Sequence, residues 1–248
     1  MRKCSLDKMN LVFAEIAKNA ALYLPVDQND GSAAYKKWEE GTVWSNALNT
    51  VRSPKDFFFP QTEDLMKFTT SGKNIEVIDT RNEAEDFVIF GVRACDYRSF
   101  EILDRVFLVD PVDTFYKNRR EHGTIVTLSC NTMAPTCFCS LFNIDVANPA
   151  GDVASWMDDE TIWFEANTEK GKNFLASISS SATMSTISAT SPFLSSSKCI
   201  TVTSSSTSSG TSISGITASS YLIETFTSSF GSISFPCAST KQMSYARN

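Results

Sequence analysis

The chain has 248 residues, a formal net charge of −6 and a sequence pI near 4.9. This acidic balance excludes a nucleic-acid partner held mainly through phosphate contacts, and it disfavours an anionic membrane surface in the same way. No apolar run is long enough to span a bilayer, and charged residues interrupt the stretch where a signal-peptide core would lie. We therefore expect a cytoplasmic protein whose seven cysteines are reduced thiols or metal ligands.

The first part of the chain predicts one helix, an irregular stretch and one strand. Within residues 5–24, apolar side chains recur at helical spacing at Met9, Val12, Phe13, Ile16 and Ala20. Ser5 or Asp7 is the candidate N-cap of this helix. Residues 26–44 are rich in turn formers and predict no regular element. Three consecutive phenylalanines then precede a predicted short helical segment. The alternation from Asn74 to Thr80 predicts a half-buried strand.

The strongest signal is a pair of continuous apolar runs at residues 86–92 and 123–130. Such runs are typical of strands that are buried on both faces. Between them, Asp96 is placed to cap a helix over residues 96–107, and residues 111–122 predict a second helix. Strand, helix and strand in this order form a crossover unit. We predict an α/β domain over residues 1–175, with a mixed or parallel sheet, crossover helices and a candidate further strand at residues 160–166.

The composition changes abruptly after Leu175. Serine and threonine dominate residues 176–248, and only four charged residues remain there: Lys198, Glu224, Lys241 and Arg247. A segment of this composition buries too little apolar surface to offset its conformational entropy, so we predict a disordered, low-complexity tail. Two hypotheses for its origin are a Ser/Thr-rich stalk and an out-of-frame translation of a longer gene.

Four cysteines follow the two strong strands. Cys95 and Cys130 come at the strand ends, and Cys137 and Cys139 lie in the loop after the second strand. In open α/β sheets, ligands bind outside the carboxyl ends of the strands. If the strands are parallel, four thiols meet at one edge, where they suit an iron–sulfur cluster or zinc. The alternative is that these cysteines are small packing residues, because C-x-C is not the usual ligand spacing.

Other chemistries find little support in the sequence. A cysteine nucleophile would need His122, the single histidine, which lies at a predicted helix end where its charge is favoured. Neither a G-x-S-x-G turn nor a glycine-rich phosphate loop is present. Arg93 beside Asp96 suits either an anion at the helix N-terminus or an internal salt bridge. Arg119 and Arg120 are predicted to form a solvated helix face.

Two blocks, residues 90–107 and 124–139, resemble a family of iron–sulfur electron-transfer subunits. The family is related to the anaerobic sulfite reductase A subunit and to the beta subunit of soluble sulfhydrogenases. The first block matches G-x-R-x-C-D and D-x-x-F at these positions: Gly91, Arg93, Cys95, Asp96, Asp104 and Phe107. The second block matches a cysteine followed by C-F-C: Cys130, Cys137 and Cys139.

This resemblance implies an electron-transfer component of a cytoplasmic, anaerobic oxidoreductase complex rather than a stand-alone enzyme. The expected partners are a flavin- or NAD(P)H-binding subunit and a catalytic redox subunit. In the family, the α/β part is followed by a ferredoxin-like part with two C-x-x-C-x-x-C-x-x-x-C-P motifs, each of which holds a [4Fe–4S] cluster. No C-x-x-C follows Phe174 here, so we expect that part to be missing or out of frame.

By position, the resemblance makes four cysteines the candidate cluster ligands: Cys95, Cys130, Cys137 and Cys139. Arg93 and Asp96 are the residues expected to support this site. The alternative function is a non-redox docking module that binds partner subunits and whose cysteines are structural.

Overall fold

The computed structural model describes residues 1–81, 85–178 and 184–186, and the backbone of four strands beyond them. The helices are α1 (Met9–Ala17), α2 (Ala94–Phe107), α3 (Thr114–His122) and α4 (Glu169–Ser177). The first five strands are β1 (Arg2–Ser5), β2 (Ala21–Asp27), β3 (Ala33–Lys37), β4 (Met66–Ser71) and β5 (Asn74–Asp79). Five more follow: β6 (Phe87–Val92), β7 (Gly123–Leu128), β8 (Val153–Met157), β9 (Thr161–Ala166) and β10 (Ser185–Thr186). Short 3-10 turns span Leu6–Lys8, Pro54–Phe57 and Cys139–Phe142.

Eight strands form one mixed sheet in the order β10-β1-β9-β8-β7-β6-β2-β3. The four central strands, β8, β7, β6 and β2, are parallel to one another. The strands on either side of them, β9, β1 and β10 at one edge and β3 at the other, pair antiparallel. The predicted α/β class, with a mixed sheet and crossover helices, is confirmed.

Helices cover the sheet on both faces, which explains the continuous apolar runs. Along β6, Val88 and Phe90 pack into the cluster that contains α1 and α4, whereas Ile89 and Val92 pack into the cluster that contains α2 and α3. A strand between two helical layers has no solvent-facing side, so it loses the polar alternation of a half-buried strand. One face of α2 also packs inward, with Phe100 at its centre.

The first predicted helix was too long. Helix α1 ends at Ala17, and residues 21–24 of the predicted helix belong to β2, which pairs with β6 and with β3. Aromatic and branched residues in this segment, including Tyr23 and Val26, suit a strand, and the sheet supplies the partners that local periodicity does not show. Strand β3 lies within the stretch for which no regular element was predicted.

The segment after the three phenylalanines forms a hairpin instead of a helix. Strands β4 and β5 pair antiparallel over Met66–Ser71 and Asn74–Asp79, and Gly72 takes a positive φ of 65° in the turn between them. The strand predicted from Asn74 is therefore confirmed, but its predicted half-burial is wrong because nearly all of the hairpin is exposed. An apolar–polar alternation reports which side chains share a face, and it does not report whether anything covers that face.

The chain divides into two compact units. The α/β unit comprises residues 1–129 and 148–187, and the second unit comprises residues 130–147 and 188–248. Ile178 is buried in the core of the α/β unit, and Thr186 of β10 pairs with Arg2.

The tail contributes two strand pairs to the described backbone. These are β11 (Cys199–Thr207) with β12 (Gly210–Ser219), and β13 (Thr227–Ser228) with β14 (Gly231–Ser232). The predicted disorder of residues 176–248 falls mostly outside the described residues. Within the part of the chain that the structure describes, no helix has the length and apolarity needed to cross a membrane.

Candidate functional site

Arg93 is a buried anchor directly after β6. It is only 4% exposed, and its Nη1 donates a hydrogen bond of 3.0 Å to the carbonyl oxygen of Ser129, directly after β7. Its Nη2 donates to the carbonyl and side-chain oxygens of Asn46, both at 2.8 Å, and to the Ala47 carbonyl at 3.1 Å. One guanidinium thus holds together the ends of two parallel strands and a separate loop. The acceptors of these hydrogen bonds are neutral oxygens.

Asp96 lies in the first turn of α2 and does not cap it. The helix begins at Ala94 with Arg93 in the extended N-cap position, so the predicted capping role of Asp96 is wrong. Its carboxylate instead accepts a hydrogen bond of 2.7 Å from the Ser53 hydroxyl. Burial raises the pKa of Asp96 above its ordinary value, and the Ser53 hydrogen bond and the nearby charges of Lys55 and Arg93 partly oppose that rise. Asp96 therefore joins the 3-10 turn that contains Lys55 to the start of α2.

Cys95 is the second residue of α2 and is exposed. Nearby, burial raises the pKa of Tyr35, the Asp96 carboxylate raises it further, and the Arg93 guanidinium opposes them. Tyr35 is therefore a neutral hydroxyl in this surrounding. Arg93, Cys95 and Asp96 lie together at the carboxyl end of β6, where the sequence placed them.

The other three predicted ligands lie in the segment 130–147, which we call the cysteine loop. The backbone N–H of Cys130 donates to the Val146 carbonyl at 3.3 Å. The N–H of Ala134 donates to the sulfur of Cys137 at 3.4 Å, while the Cys137 N–H donates to the Ala134 carbonyl at 3.0 Å. Cys130, Cys137 and Cys139 are all partly exposed. The loop also displays three apolar side chains that are each more than half exposed: Phe138, Leu141 and Phe142.

The described residues contain no group of three or more Cys, His, Asp or Glu side chains that is arranged to hold a metal ion. Cys95 belongs to the α/β unit and the cysteine loop to the second unit. The four-thiol site therefore stays a prediction. His122 is placed more definitely: its Nδ1 lies 2.6 Å from Oδ1 of Asp86, at the amino ends of β6 and β7. That is the edge opposite Cys95, about 20 Å away along a six-residue strand, so these two residues form no catalytic pair.

A second anchor, missed in the sequence, joins α2 to α3 through Asp104. Its Oδ1 accepts hydrogen bonds from the Tyr116 hydroxyl at 2.6 Å and from Arg120 Nε at 3.0 Å, and its Oδ2 accepts from Arg120 Nη2 at 3.0 Å. The Arg120 guanidinium also lies 5.3 Å from the ring centroid of Phe58. The prediction of a solvated face for Arg119 and Arg120 is therefore wrong. The i, i+4 spacing of Tyr116 and Arg120 placed both on one helix face, but it could not identify Asp104 as their partner.

The comparisons with known proteins add one similarity. A stretch of 144 residues is 31% identical to sulfhydrogenase 2 subunit beta of Pyrococcus furiosus. The match covers 57% of this chain and 40% of that protein, so the chain spans less than half of the relative's length. No family model and no solved structure matches the chain. The similarity supports a relationship to hydrogenase beta subunits, which is one of the two relationships that the motifs predicted; that to the sulfite reductase A subunit stays a prediction.

Proposed function

We propose that this chain is an iron–sulfur electron-transfer subunit of a hydrogenase-type redox complex. The single observation that carries the proposal is the similarity to a sulfhydrogenase beta subunit. The chain would pass electrons between a flavin- or NAD(P)H-binding subunit and a catalytic redox subunit, and it would perform no substrate chemistry of its own. In such a subunit, the cluster carries the electrons, and the protein holds it, tunes its potential and docks the partners.

The four candidate ligands differ from a packing cysteine in their surroundings. Cys4 is 2% exposed and belongs to the hydrophobic core, as expected of a small apolar residue. By contrast, Cys95 is exposed, and the three cysteines of the cysteine loop are partly exposed. A thiol outside the core gains little from packing, so these positions favour a chemical role over a structural one.

The donor set also suits an iron–sulfur cluster. Thiolates are the ligands that such clusters take. The sulfur of Cys137 already accepts a hydrogen bond from the backbone N–H of Ala134. We therefore propose that Cys95, Cys130, Cys137 and Cys139 are the cluster ligands. The expected cofactor is a [4Fe–4S] cluster. Arg93 would act as a positioning residue, since it fixes the strand ends that directly precede Cys95 and Cys130.

Anaerobic expression of the full chain with iron and sulfide analysis tests this proposal. We expect a brown protein whose iron and sulfide content falls sharply when Cys95, Cys130, Cys137 or Cys139 is replaced singly by Ser. Cys237→Ser is the matched control, because it removes a thiol outside the family motifs and should leave the iron content unchanged. A folded, colourless protein with no bound iron would refute the cluster.

The exposed apolar residues of the cysteine loop support a second candidate, the docking module. Side chains such as Phe138 and Phe142, at 61% and 65% exposure, are more typical of a surface that a partner covers. This function would be favoured by an iron-free protein that still assembles with a redox partner. The double variant Phe138→Ser and Phe142→Ser should then lose that assembly.

A further inference from the structure

Helix α2 presents apolar side chains to solvent on the side away from the core. Phe100 is buried, whereas Ile102 and Val106, which lie four residues apart on another face of the helix, are 56% and 62% exposed. A surface helix of a globular protein normally carries polar or charged side chains on its outer face. The outer face of α2 therefore departs from the pattern of a helix that stays in water.

This apolar surface continues beyond the end of the helix. The N–H of Asp113 donates to the Phe107 carbonyl at 2.9 Å, so the loop after α2 folds back onto the helix end. The rings of Phe59 and Phe107 are stacked, with their centroids 4.9 Å apart. We call the exposed apolar residues of this surface the α2 patch: Phe59, Ile102, Val106, Leu108, Val109 and Val112. All six belong to the α/β unit.

The α2 patch is large enough to form a specific interface. Its six residues are between 36% and 62% exposed. At these fractions they present on the order of 500 Å² of apolar surface, which is the size of the largest apolar patch on a typical monomer. Two such patches packed face to face would bury about 1,000 Å² in total, the lower bound for a specific protein–protein interface.

The charges beside the patch favour a second copy of this chain as its occupant. Glu101 and Arg105 lie four residues apart on one side of α2, about 6 Å apart along its axis. Glu101 pairs with Arg98, and Arg105 forms no ion pair with any residue that the structure describes. In two antiparallel copies of α2 with a twofold axis near Leu103, each Arg105 lies beside Glu101 of the other copy. In a parallel pair, each Arg105 would instead lie level with its own counterpart, so the charges favour the antiparallel pair.

We propose that this chain forms a symmetric dimer in which the α2 patches of two copies pack against each other with their α2 helices antiparallel. Ile102 lies beside the twofold axis, and two Arg105–Glu101 ion pairs flank it. Each copy contributes the same surface, as in most soluble homodimers. This inference does not depend on the proposed electron-transfer function, since it involves neither the candidate ligands nor a cluster.

Sedimentation velocity of the full chain tests the proposal. A reductant is included, because Cys95 is exposed on the same helix and a disulfide would also join two copies. We expect a species of twice the 27.3 kDa of one chain. Ile102→Asp should give the monomer, because the dimer would bury an unpaired carboxylate. Leu11→Asp is the matched control: Leu11 is 59% exposed on α1, outside the α2 patch, and its replacement should leave the dimer intact.

Charge reversal tests the antiparallel arrangement separately. Arg105→Glu should weaken the dimer about tenfold or more, because two attractive pairs become two repulsive ones. Adding Glu101→Arg to this variant should restore the dimer, because the pairs re-form with their charges exchanged. Arg52→Glu is the matched control: the Arg52 side chain is 60% exposed in a surface pair with Asp56, and its reversal should not change the dimer.

Three results would overturn the inference, with circular dichroism establishing that each variant is folded. The first is a wild type that stays monomeric up to about 100 μM, a concentration at which a micromolar dimer is largely formed. The second is a dimer that survives unchanged in Ile102→Asp. The third is a double charge reversal that dimerises no more tightly than Arg105→Glu alone.

Discussion

Replacing Arg93 by Ala should destabilise the α/β unit more than any other single change at the start of α2. The side chain is 4% exposed, and its two Nη atoms donate hydrogen bonds to Asn46, Ala47 and Ser129. Three of these acceptors are backbone carbonyls, and truncation would leave all of them without this donor. The loss therefore reaches two further segments of the chain besides the one that holds Arg93.

The magnitude follows from the number and kind of these bonds. A hydrogen bond from a charged donor contributes roughly 1.5–3 kcal/mol, and water that enters the space left by the side chain recovers part of the loss. We expect Arg93→Ala to lower the free energy of unfolding by about 3–5 kcal/mol. Arg93→Lys should lower it by about 1–3 kcal/mol, because one ammonium cannot reach acceptors on both sides as a planar guanidinium does.

Urea unfolding followed by far-UV circular dichroism measures the effect. Arg98→Ala is the matched control: it lies five residues further along the chain, its side chain is 46% exposed, and its ion pair with Glu101 is a surface contact. Such pairs contribute about 0–1 kcal/mol. If the free energies of unfolding of Arg93→Ala and Arg98→Ala lie within about 1 kcal/mol of each other at equal denaturant slopes, the anchoring role of Arg93 is wrong.

Three further changes test other parts of the structure. Asp104→Ala should cost about 3 kcal/mol in urea unfolding, because it leaves the Tyr116 hydroxyl and the Arg120 guanidinium without their acceptor, and a loss below 1 kcal/mol would contradict that network. Gly171→Ala should unfold the α4 region in hydrogen exchange, because a Cβ there would overlap the backbone carbonyl of Asp152; protection equal to wild type would refute this close approach. Asp96→Asn tests a pH dependence: a carboxyl whose pKa is raised on folding binds more protons in the folded state, so its contribution to stability is lost as pH rises from 3.8 through the raised value. Thermal melts between pH 3 and pH 7 should therefore show wild type losing stability relative to the Asn variant as pH rises, and the opposite trend would contradict the burial of Asp96.

The sheet centre was predictable because its signal is local. Residues 87–92 and 123–128 are almost without charged or strongly polar side chains, and such a pattern is typical of strands between two layers. Strands β2 and β3 carried no comparable signal, since β2 continues the apolar spacing of α1 and contains Pro25. Whether this segment continues the helix or forms a strand depends on the strand that pairs with it, which is β6. Strand β6 lies sixty or more residues further along the chain, so a local pattern does not reveal it.

The candidate site shows the same limit at the level of side chains. The predicted end of β6 was enough to place Arg93, Cys95 and Asp96 close together. It did not predict the hydrogen-bond partners of Arg93 and Asp96. Asn46 and Ser53 lie more than forty residues before these side chains, and neither belongs to a recognisable motif.

The residues that match the family motifs divide into two kinds by their surroundings. Arg93 and Asp104 are anchors whose hydrogen bonds connect separate segments, so their presence is explained by the fold without any cofactor. The cysteines of the same motifs lie outside the hydrophobic core that contains Cys4, so packing in that core does not account for them. A motif match at the anchors therefore supports the fold, and only the thiols bear on electron transfer. For this reason iron content in the cysteine variants, and not the stability of Arg93 variants, decides between the redox subunit and the docking module.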